Sequence, residues 1–592
     1  MNKKNLLVFS IGPVQGFIAA ARKIEDLWSG SYLLSHLTER AIFTVLESAE
    51  NQGIPCDIVY PRVDLAELRQ ERISENVEVA SLPNRFVCCL ETDQQQVGVI
   101  ARKAEQMVRK TLADIGRFAI EKVFPPDLKQ DYMKELLDHQ VSSLLEIFWA
   151  TESFCGDENF GFARMKLEKR LAAVKNGRPY HVNLQEGLVC TICGEQQALT
   201  SQGQQSENFS NYGLMKQNLV NTWNKRREAF KTPEVQEGTT KSARIKDGES
   251  LCGICLSKRL ARDYFKEKMN VKDRFLAFPS TSKLTGGTDY YAVIMMDGDD
   301  MGQWISGNKN ISDKRESLEN KVNMAYQREL SKRLDNFAVH SVPAIVKKYA
   351  GMLIYAGGDD VLAFAPVNSV LEMAKALRLA FSNEKTGLSS RATASMGIVI
   401  AHKKAPLNMV LEYARAMEGS AKSYQFPEGK LKDALGLAVL THSGEVREAV
   451  LPWSLDGKEY TETTQSCAVR YLQEFVRMVS NQLSVSFIEH FSQAFLPLLG
   501  VGLKKGKKIS VIPDSPNHPD QNRRLMELEM LRVLRRSARD EFSDLDFSMQ
   551  ARQLIDIHEI MGSTLQFVHL MEMGRFFKRM EGKNETTSFT AS

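Results

Sequence analysis

The sequence contains no apolar run approaching the roughly 20 residues that a bilayer-spanning helix needs. Its opening run, Leu6-Leu7-Val8-Phe9, is too short for the core of a signal peptide, and Gly12-Pro13 ends it. A cytoplasmic protein is therefore expected, with no membrane contact. Net charge is also scarce. Lys and Arg number 77 against 73 Asp and Glu, giving +4. So small a balance neither requires nor excludes nucleic acid, because binding follows clustered charge and not the total. The nine cysteines are an odd number in a long chain without an export signal, which argues against a disulfide framework. No short repeat of the solenoid type is present. What remains is ordinary: 43% hydrophobic and 25% charged residues in 592. At roughly 150 residues per domain this length suggests about four domains.

The texture changes along the chain. Leu6–Ile11 reads as a buried strand, about 15–47 as helical, and Arg85–Glu91 as a second strand. Residues 97–150 look helical, with a break at Pro125-Pro126. Two polar stretches, Ser201–Tyr212 and Thr232–Ser250, read as loops between two cysteine pairs. The clearest pattern lies in 286–440. Strands are expected at Tyr290–Met296, Gly351–Ala356, Val361–Ala365, Ala392–Ala401 and Ala434–Thr441. Helical spacing covers 313–349 with a break near Pro343, Val367–Ser382 and Leu407–Lys422. The order β-α-β-β-α-β, with one extra helix before the final strand, is that of a ferredoxin-like split βαβ unit, an antiparallel sheet with helices on one face. Residues 445–580 read as mostly helical, with basic clusters at Lys504–Lys508 and at Arg532, Arg535, Arg536 and Arg539. The polar end, Lys583–Ser592, is expected to be disordered.

Chemistry concentrates in two acidic runs. Met352–Ala356 and Val361–Ala365 are apolar, and only Gly357-Gly358-Asp359-Asp360 separates them. The glycines permit the positive φ of a tight hairpin turn and leave the backbone bare for a phosphate to approach. Alone, the run is equally an ordinary turn. The strand Val293–Met296, however, ends in Asp297-Gly298-Asp299-Asp300. In a β-α-β-β unit the first strand lies beside the hairpin, so Asp297 and Asp359 are expected at the same sheet end. Carboxylates gathered there repel unless a cation neutralises them, and hard oxygen ligands suit Mg²⁺ or Mn²⁺. Two such ions support nucleotidyl transfer. Asp297, Asp359 and Asp360 are thus the candidate catalytic and metal residues, with a Gly298 carbonyl as a further ligand. Lys422, near the end of its helix, is either a triphosphate contact or a solvated lysine. His402, Lys403 and Lys404 are either a phosphate-facing patch or a charged loop.

Cys190-Thr191-Ile192-Cys193 and Cys252-Gly253-Ile254-Cys255 are two C-x₂-C units. Four thiolates so paired fit one structural, tetrahedral zinc ion closed to catalysis. The interval between the pairs exceeds the usual ~15–20 residues, so an insertion must loop out; two separate redox motifs are the alternative. Cys56, Cys88, Cys89, Cys155 and Cys467 read as packing residues.

These motifs together resemble the large, palm-containing subunit of type III CRISPR–Cas effector complexes in its Cmr (III-B) form. The resemblance rests on Ile11-Gly12-Pro13-Val14-Gln15-Gly16-Phe17-Ile18, Ala21-Arg22 and Asp26–Ser35, and on the cysteine knuckles. It rests equally on Asp297-Gly298-Asp299-Asp300-Met301-Gly302 and on the Gly-Gly-Asp-Asp turn. It implies an α+β chain: a degenerate palm with a helical insertion over 1–180, a zinc region over 181–285, a catalytic cyclase/polymerase-like palm over 286–442, and a helical domain over 443–592. It further implies ATP as substrate, joined 3′–5′ into cyclic oligoadenylates when target RNA is bound, with CRISPR RNA, target RNA and other Cmr subunits as partners. Gly298, Gly357, Gly358 and Lys422 match nucleotide-binding positions, and Ser29, Gly30 and Ser31 line the nucleotide site in that reading. Many members carry an N-terminal HD nuclease. Here the first strand starts at about residue 6 and no His-Asp dipeptide occurs, so no HD-type DNase activity is expected. The alternative function is a silent scaffold for the guide RNA 5′ end and neighbouring subunits.

Overall fold

Short β-branched and aromatic runs alternate with longer amphipathic stretches, and in the computed structural model they resolve into two sheets flanked by helices. The structure describes residues 4–63, 82–128, 130–177, 187–201, 211–229, 245–269, 284–285, 287–309, 311, 322–426, 429, 431–481, 483–484, 486–495, 520–538 and 547–587. Lys504–Lys508, Arg539, most of both polar stretches and the last five residues lie outside them. The chain forms two compact units. One comprises Met1–Ser280, Asp300–Val339 and Ile354–Gly358; the other comprises Thr281–Asp299, His340–Leu353 and Asp359–Ser592.

In the first unit, β1 (Lys4–Gly12), β2 (Cys56–Tyr60), β3 (Arg85–Leu90) and β4 (Glu146–Phe154) form a sheet in the order β2-β3-β1-β4. All its pairings are antiparallel. Leu6 and Val8 of β1 join Val87, Cys89, Ala150 and the apolar stripe Phe160, Ala163, Leu167 and Leu171 in one buried cluster. That stripe recurs every three or four residues, which puts it on one face of the helix Phe160–Asn176. The long helices Ile24–Glu50 and Gln94–Val123 pack on each other in the same unit. Asp93 caps the second of them, its carboxylate accepting from the Gln96 N–H at 2.9 Å. β2 and β4 were not foreseen, and β4 corrects the helical reading of 97–150. Its Glu146-Ile147-Phe148-Trp149-Ala150 sequence follows a genuine helix, Gln130–Leu144, without a glycine or proline to mark the change.

The second sheet has the order β10-β9-β8-β5-β7-β6, from β5 (Tyr290–Gly298), β6 (Met352–Gly357), β7 (Asp360–Pro366), β8 (Ala394–His402), β9 (Ala434–Leu440) and β10 (Val446–Pro452). Its β8-β5-β7-β6 portion repeats the strand order of the first sheet. The helices Val370–Phe381 and Leu407–Lys422 fall where the sequence pattern places them. Three features differ from expectation. β9 joins β8 in parallel, β10 extends the sheet into a stretch read as helical, and all nine residues of β8 are buried, so both faces of that strand are covered. The C-terminal part is otherwise helical, with helices Ala468–Asn481, Phe487–Phe495, Asp520–Ser537, Phe547–Met561 and Thr564–Thr587. No helix among the described residues is long and apolar enough to cross a membrane.

Candidate functional site

β5 positions the first carboxylate. Its register sets Asp297 opposite Ser395 and Gly298 opposite Ala394 of β8, while Met296 faces Val361 of β7 on the other side. The β6–β7 turn therefore arrives beside the end of β5. One carboxylate oxygen from each of Asp297, Asp359 and Asp360 lies within 4.8 Å of the others. Three acids this close need a counter-charge, and an arrangement of hard oxygens suits a divalent cation.

The glycines make the approach possible. A Cβ on Gly298 would stand 2.9 Å from Asp359 Cβ and 2.9 Å from Phe381 Cζ, so only a bare backbone fits between them. Gly358 has φ +78, a conformation that L side chains avoid. A side chain on Gly357 would collide with the ring of Tyr355.

The electrostatics agree with a site built for a cation. Burial raises the Asp359 carboxyl to about 6. Asp360 is raised well above the ordinary carboxylate range, first by burial and then by repulsion from Asp359 and Glu418. Asp360 nevertheless keeps an exposed edge and Asp359 is half-buried, so the acids are both crowded and reachable. Lys422, on the last turn of its helix, pairs with Asp297 and lies 3.2 Å from Glu418. Burial, with Lys432 nearby, lowers its pKa to about 8.

Sequence reasoning missed the layer beneath these groups. Asp299 is buried, accepting from Ser395 Oγ at 2.8 Å and from the Asp433 N–H at 3.1 Å. Arg378 Nε donates to Asp433 Oδ1 at 2.7 Å. The only available signal was that Asp299 belongs to the same acidic run as Asp297.

His402, Lys403 and Lys404 do not join the site. Tyr290 is paired with His402 at the far end of the strand pair that sets Asp297 against Ser395. At ~3.3 Å per residue the two ends are roughly 20 Å apart. Lys403 pairs with Asp289 at 2.9 Å, and His402 stacks edge-on against His442 at 4.3 Å. A cleft of about 1000 Å³ opens at that end, lined by Tyr290, His402, His442, Arg447 and Arg575 among others. The convergent carboxylates do not line it.

The first unit brings the four paired cysteines together, with one sulfur from each within 4.8 Å of the others and Cys193 Sγ 3.9 Å from Cys252 Sγ. Metal–sulfur bonds of ~2.3 Å in a tetrahedron require sulfurs about 3.8 Å apart, so the donor set fits one thiophilic ion. Gly194 takes φ +69 at the bend, and its N–H donates to the Cys190 carbonyl at 2.9 Å. The helix Gly253–Met269, which carries Cys255, also carries two buried cations. Lys258 Nζ donates to the carbonyls of Phe17 and Ala20, each at 2.6 Å. Arg259 bridges Asp26 and Glu249. Gly30 packs against Lys258, and Ser29 and Ser31 are fully buried with hydroxyls that find no partner among the described residues. Cys88, Cys89 and Cys467 are buried as expected of packing residues, whereas Cys155 is exposed.

Comparison with known proteins follows the same division. Residues 290–434 match the family described as Cas10/Cmr2, second palm domain, and residues 6–117 match CRISPR-associated protein Cmr2, N-terminal. The CRISPR system Cmr subunit Cmr2 of Pyrococcus furiosus is 27% identical over 562 residues, covering 76% of this chain and 63% of that protein. The chain thus spans under two thirds of the length of this curated relative. Among solved structures, a type III-B Cmr-beta in its apo state aligns with 97% of this chain and 82% of the other, at TM-score 0.65 and 14% identity. The same assembly bound to cognate target RNA aligns at TM-score 0.61, again at 14% identity, over 97% and 83% of the two chains. At such identities the likeness is one of fold. The two family matches follow one another along the chain, the N-terminal one over strands of the first sheet and the palm one over the strands that carry the carboxylates.

Proposed function

We propose that the chain is the palm-bearing subunit of a type III-B, RNA-guided antiviral CRISPR complex, and that it converts ATP to cyclic oligoadenylates when target RNA is bound. The observation that carries this reading is the convergence of Asp297, Asp359 and Asp360 on one sheet end, with their oxygens within 4.8 Å of one another. In each step the 3′-hydroxyl oxygen of one ATP bonds to the α-phosphorus of the next. The bond from that phosphorus to its bridging oxygen breaks, pyrophosphate leaves, and the hydroxyl proton passes to solvent. A last, intramolecular step of the same kind closes the ring. Asp297, Asp359 and Asp360, with the Gly298 carbonyl, would hold two Mg²⁺ or Mn²⁺ ions. Bound there, such ions lower the pKa of the attacking hydroxyl and neutralise the leaving pyrophosphate.

The chain's own groups do the rest. Gly357 and Gly358 let the turn fold tightly enough to bring Asp359 and Asp360 to the end of β5. Lys422 releases Asp297 and takes up a phosphate oxygen. Cys190, Cys193, Cys252 and Cys255 would hold a structural zinc. CRISPR RNA, target RNA and neighbouring Cmr subunits are the partners this reading requires.

The test is incubation of the reconstituted complex with guide RNA, target RNA, ATP and Mg²⁺ or Mn²⁺, with products separated by mass. Oligoadenylates that vanish in Asp359→Ala/Asp360→Ala are expected. No product under any of these conditions would leave a scaffold as the better account. Product that survives the double substitution would overturn the assignment of the site.

A further inference from the structure

One face of the helix Thr564–Thr587 is fastened along β10. Gln566 Oε1 accepts from the Val450 N–H at 3.0 Å, His569 Nδ1 accepts from the Glu448 N–H at 3.2 Å, and Glu572 Oε2 accepts from Arg447 Nε at 2.6 Å. These residues recur every three positions, so Arg575 is next in the row, with Arg579 one turn beyond it. The strand, however, begins at Val446. The same helix face thus runs past the start of β10 to the β9–β10 turn. There Arg575, Phe576 and Arg579 line the cleft of about 1000 Å³ together with residues of that turn. The helix Phe487–Phe495 contributes Glu489, Ser492 and Gln493 to the lining, and Tyr290, His402 and His442 contribute rings.

Most charges in the cleft are already matched. Asp289 pairs with Lys403 at 2.9 Å, and Arg447 holds both Glu445 and Glu572. Arg575 and Arg579 have no ion-pair partner among the described residues, and Glu489 is the one lining acid left over there. Arg575 Nε and the Ser492 hydroxyl are buried and likewise find no hydrogen-bond partner among the described residues. Two guanidinium forks one helical turn apart repel each other in the empty cleft, and together they match the several oxygens of a phosphate group. Beside them, Tyr290 packs edge-on against Phe576 at 4.8 Å and against His402 at 5.2 Å, while Tyr290 and Phe576 keep part of their surface open and His442 is exposed. Aromatic rings next to arginines are what nucleobases stack on. An apolar ligand would leave both arginines unmatched, and a lone carboxylate would fill one fork and leave the rings unused. We propose that this cleft binds a nucleoside phosphate, its phosphate on Arg575 and Arg579 and its base against Tyr290, Phe576 and His442. At ~3.3 Å per residue along β5, the cleft is roughly 20 Å from the carboxylate trio, and the proposal stands apart from nucleotidyl transfer there.

Binding is measured on the full chain carrying Asp359→Ala/Asp360→Ala, which removes the cation site at the carboxylates. The probes are adenosine 5′-monophosphate, adenosine and inorganic phosphate. Stacking of one base and one charge-assisted phosphate contact are each worth roughly tenfold or more in affinity. The monophosphate is therefore expected to bind at least about tenfold tighter than either adenosine or phosphate. Adding Arg579→Gln should weaken monophosphate binding by about tenfold and leave the melting temperature unchanged, because Arg579 is exposed. Irradiation with 8-azido-adenosine monophosphate should label peptides that contain His442 or Phe576. Monophosphate affinity unchanged by Arg579→Gln, phosphate bound as tightly as the monophosphate, or label confined to peptides outside the cleft would each overturn the proposal. Arg579-dependent binding here, with no oligoadenylate formed by the reconstituted complex, would sink the catalytic reading and leave this one standing.

Discussion

Replacing Gly298 by alanine tests the site at its tightest point. The new methyl carbon would lie 2.9 Å from Asp359 Cβ and from Phe381 Cζ, and 3.2 Å from Asp359 Oδ2. Carbon atoms rest about 3.5–4.0 Å apart, so the two carbon contacts are each short by roughly 0.6–1.1 Å. Phe381 is fully buried and has little room to retreat. Asp359 stands at a turn and is the group that yields. Misplacing a reacting constellation by ~1 Å costs about 100-fold in rate, and overpacking of this kind costs about 1–3 kcal/mol of stability. Gly298→Ala is therefore expected to reduce oligoadenylate formation by about two orders of magnitude, mostly in kcat, with a modest fall in melting temperature. Gly419 is the control: it lies exposed in a helix with no atom within 4 Å of its would-be Cβ. Alanine there should leave the rate unchanged and stabilise the helix by up to about 1 kcal/mol. The assay is product mass and initial rate in the reconstituted complex. A Gly298→Ala protein within twofold of the unaltered rate would refute the argument that Asp359 must approach this backbone.

The raised Asp359 and Asp360 carboxyls carry a pH signature. A carboxyl whose folded pKa exceeds its unfolded value contributes stability that is complete below about 3.9 and is lost as pH rises through about 6. Metal-free protein should accordingly lose melting temperature over that interval relative to Asp359→Asn/Asp360→Asn; Mg²⁺ should reverse the trend, and a trend that Mg²⁺ leaves unchanged would count against a cation site. Elemental analysis should find one zinc per chain, and Cys252→Ala should lose it and destabilise the first unit; zinc retained by that variant would refute the four-cysteine site. Asp26→Ala takes from the buried Arg259 a carboxylate that pairs with it and should cost about 3–5 kcal/mol in urea unfolding, with part recovered in Asp26→Ala/Arg259→Met. A cost below about 1 kcal/mol would show that the pair is dispensable.

Sequence legibility followed the range of the interactions involved. The hairpin around Gly357–Asp360 and the helix Leu407–Lys422 could be read directly, because an apolar period and its punctuation are local properties. The cysteine cluster was legible because ligand spacing is local within each pair. β2 and β10 were not, since they are short and only partly buried, without the continuous apolar run of β8. The supports of the site were invisible for another reason. Asp299 meets Asp433, and Arg259 meets Asp26, across long stretches of chain. A buried charge carries no local pattern that names its partner.

The placement of β8 has a dynamic consequence. Flanked by β5 and β9 and buried at all nine positions, it offers solvent no edge from which to open. Amide protons of such a strand exchange only when a large part of the structure unfolds, whereas those near an outer strand exchange through smaller excursions. Asp297 is thus mounted beside this interior strand, while Asp359 and Asp360 stand where the outer strand β6 turns into β7. Backbone amides at that turn are accordingly expected to exchange before those of β8 around Ser395.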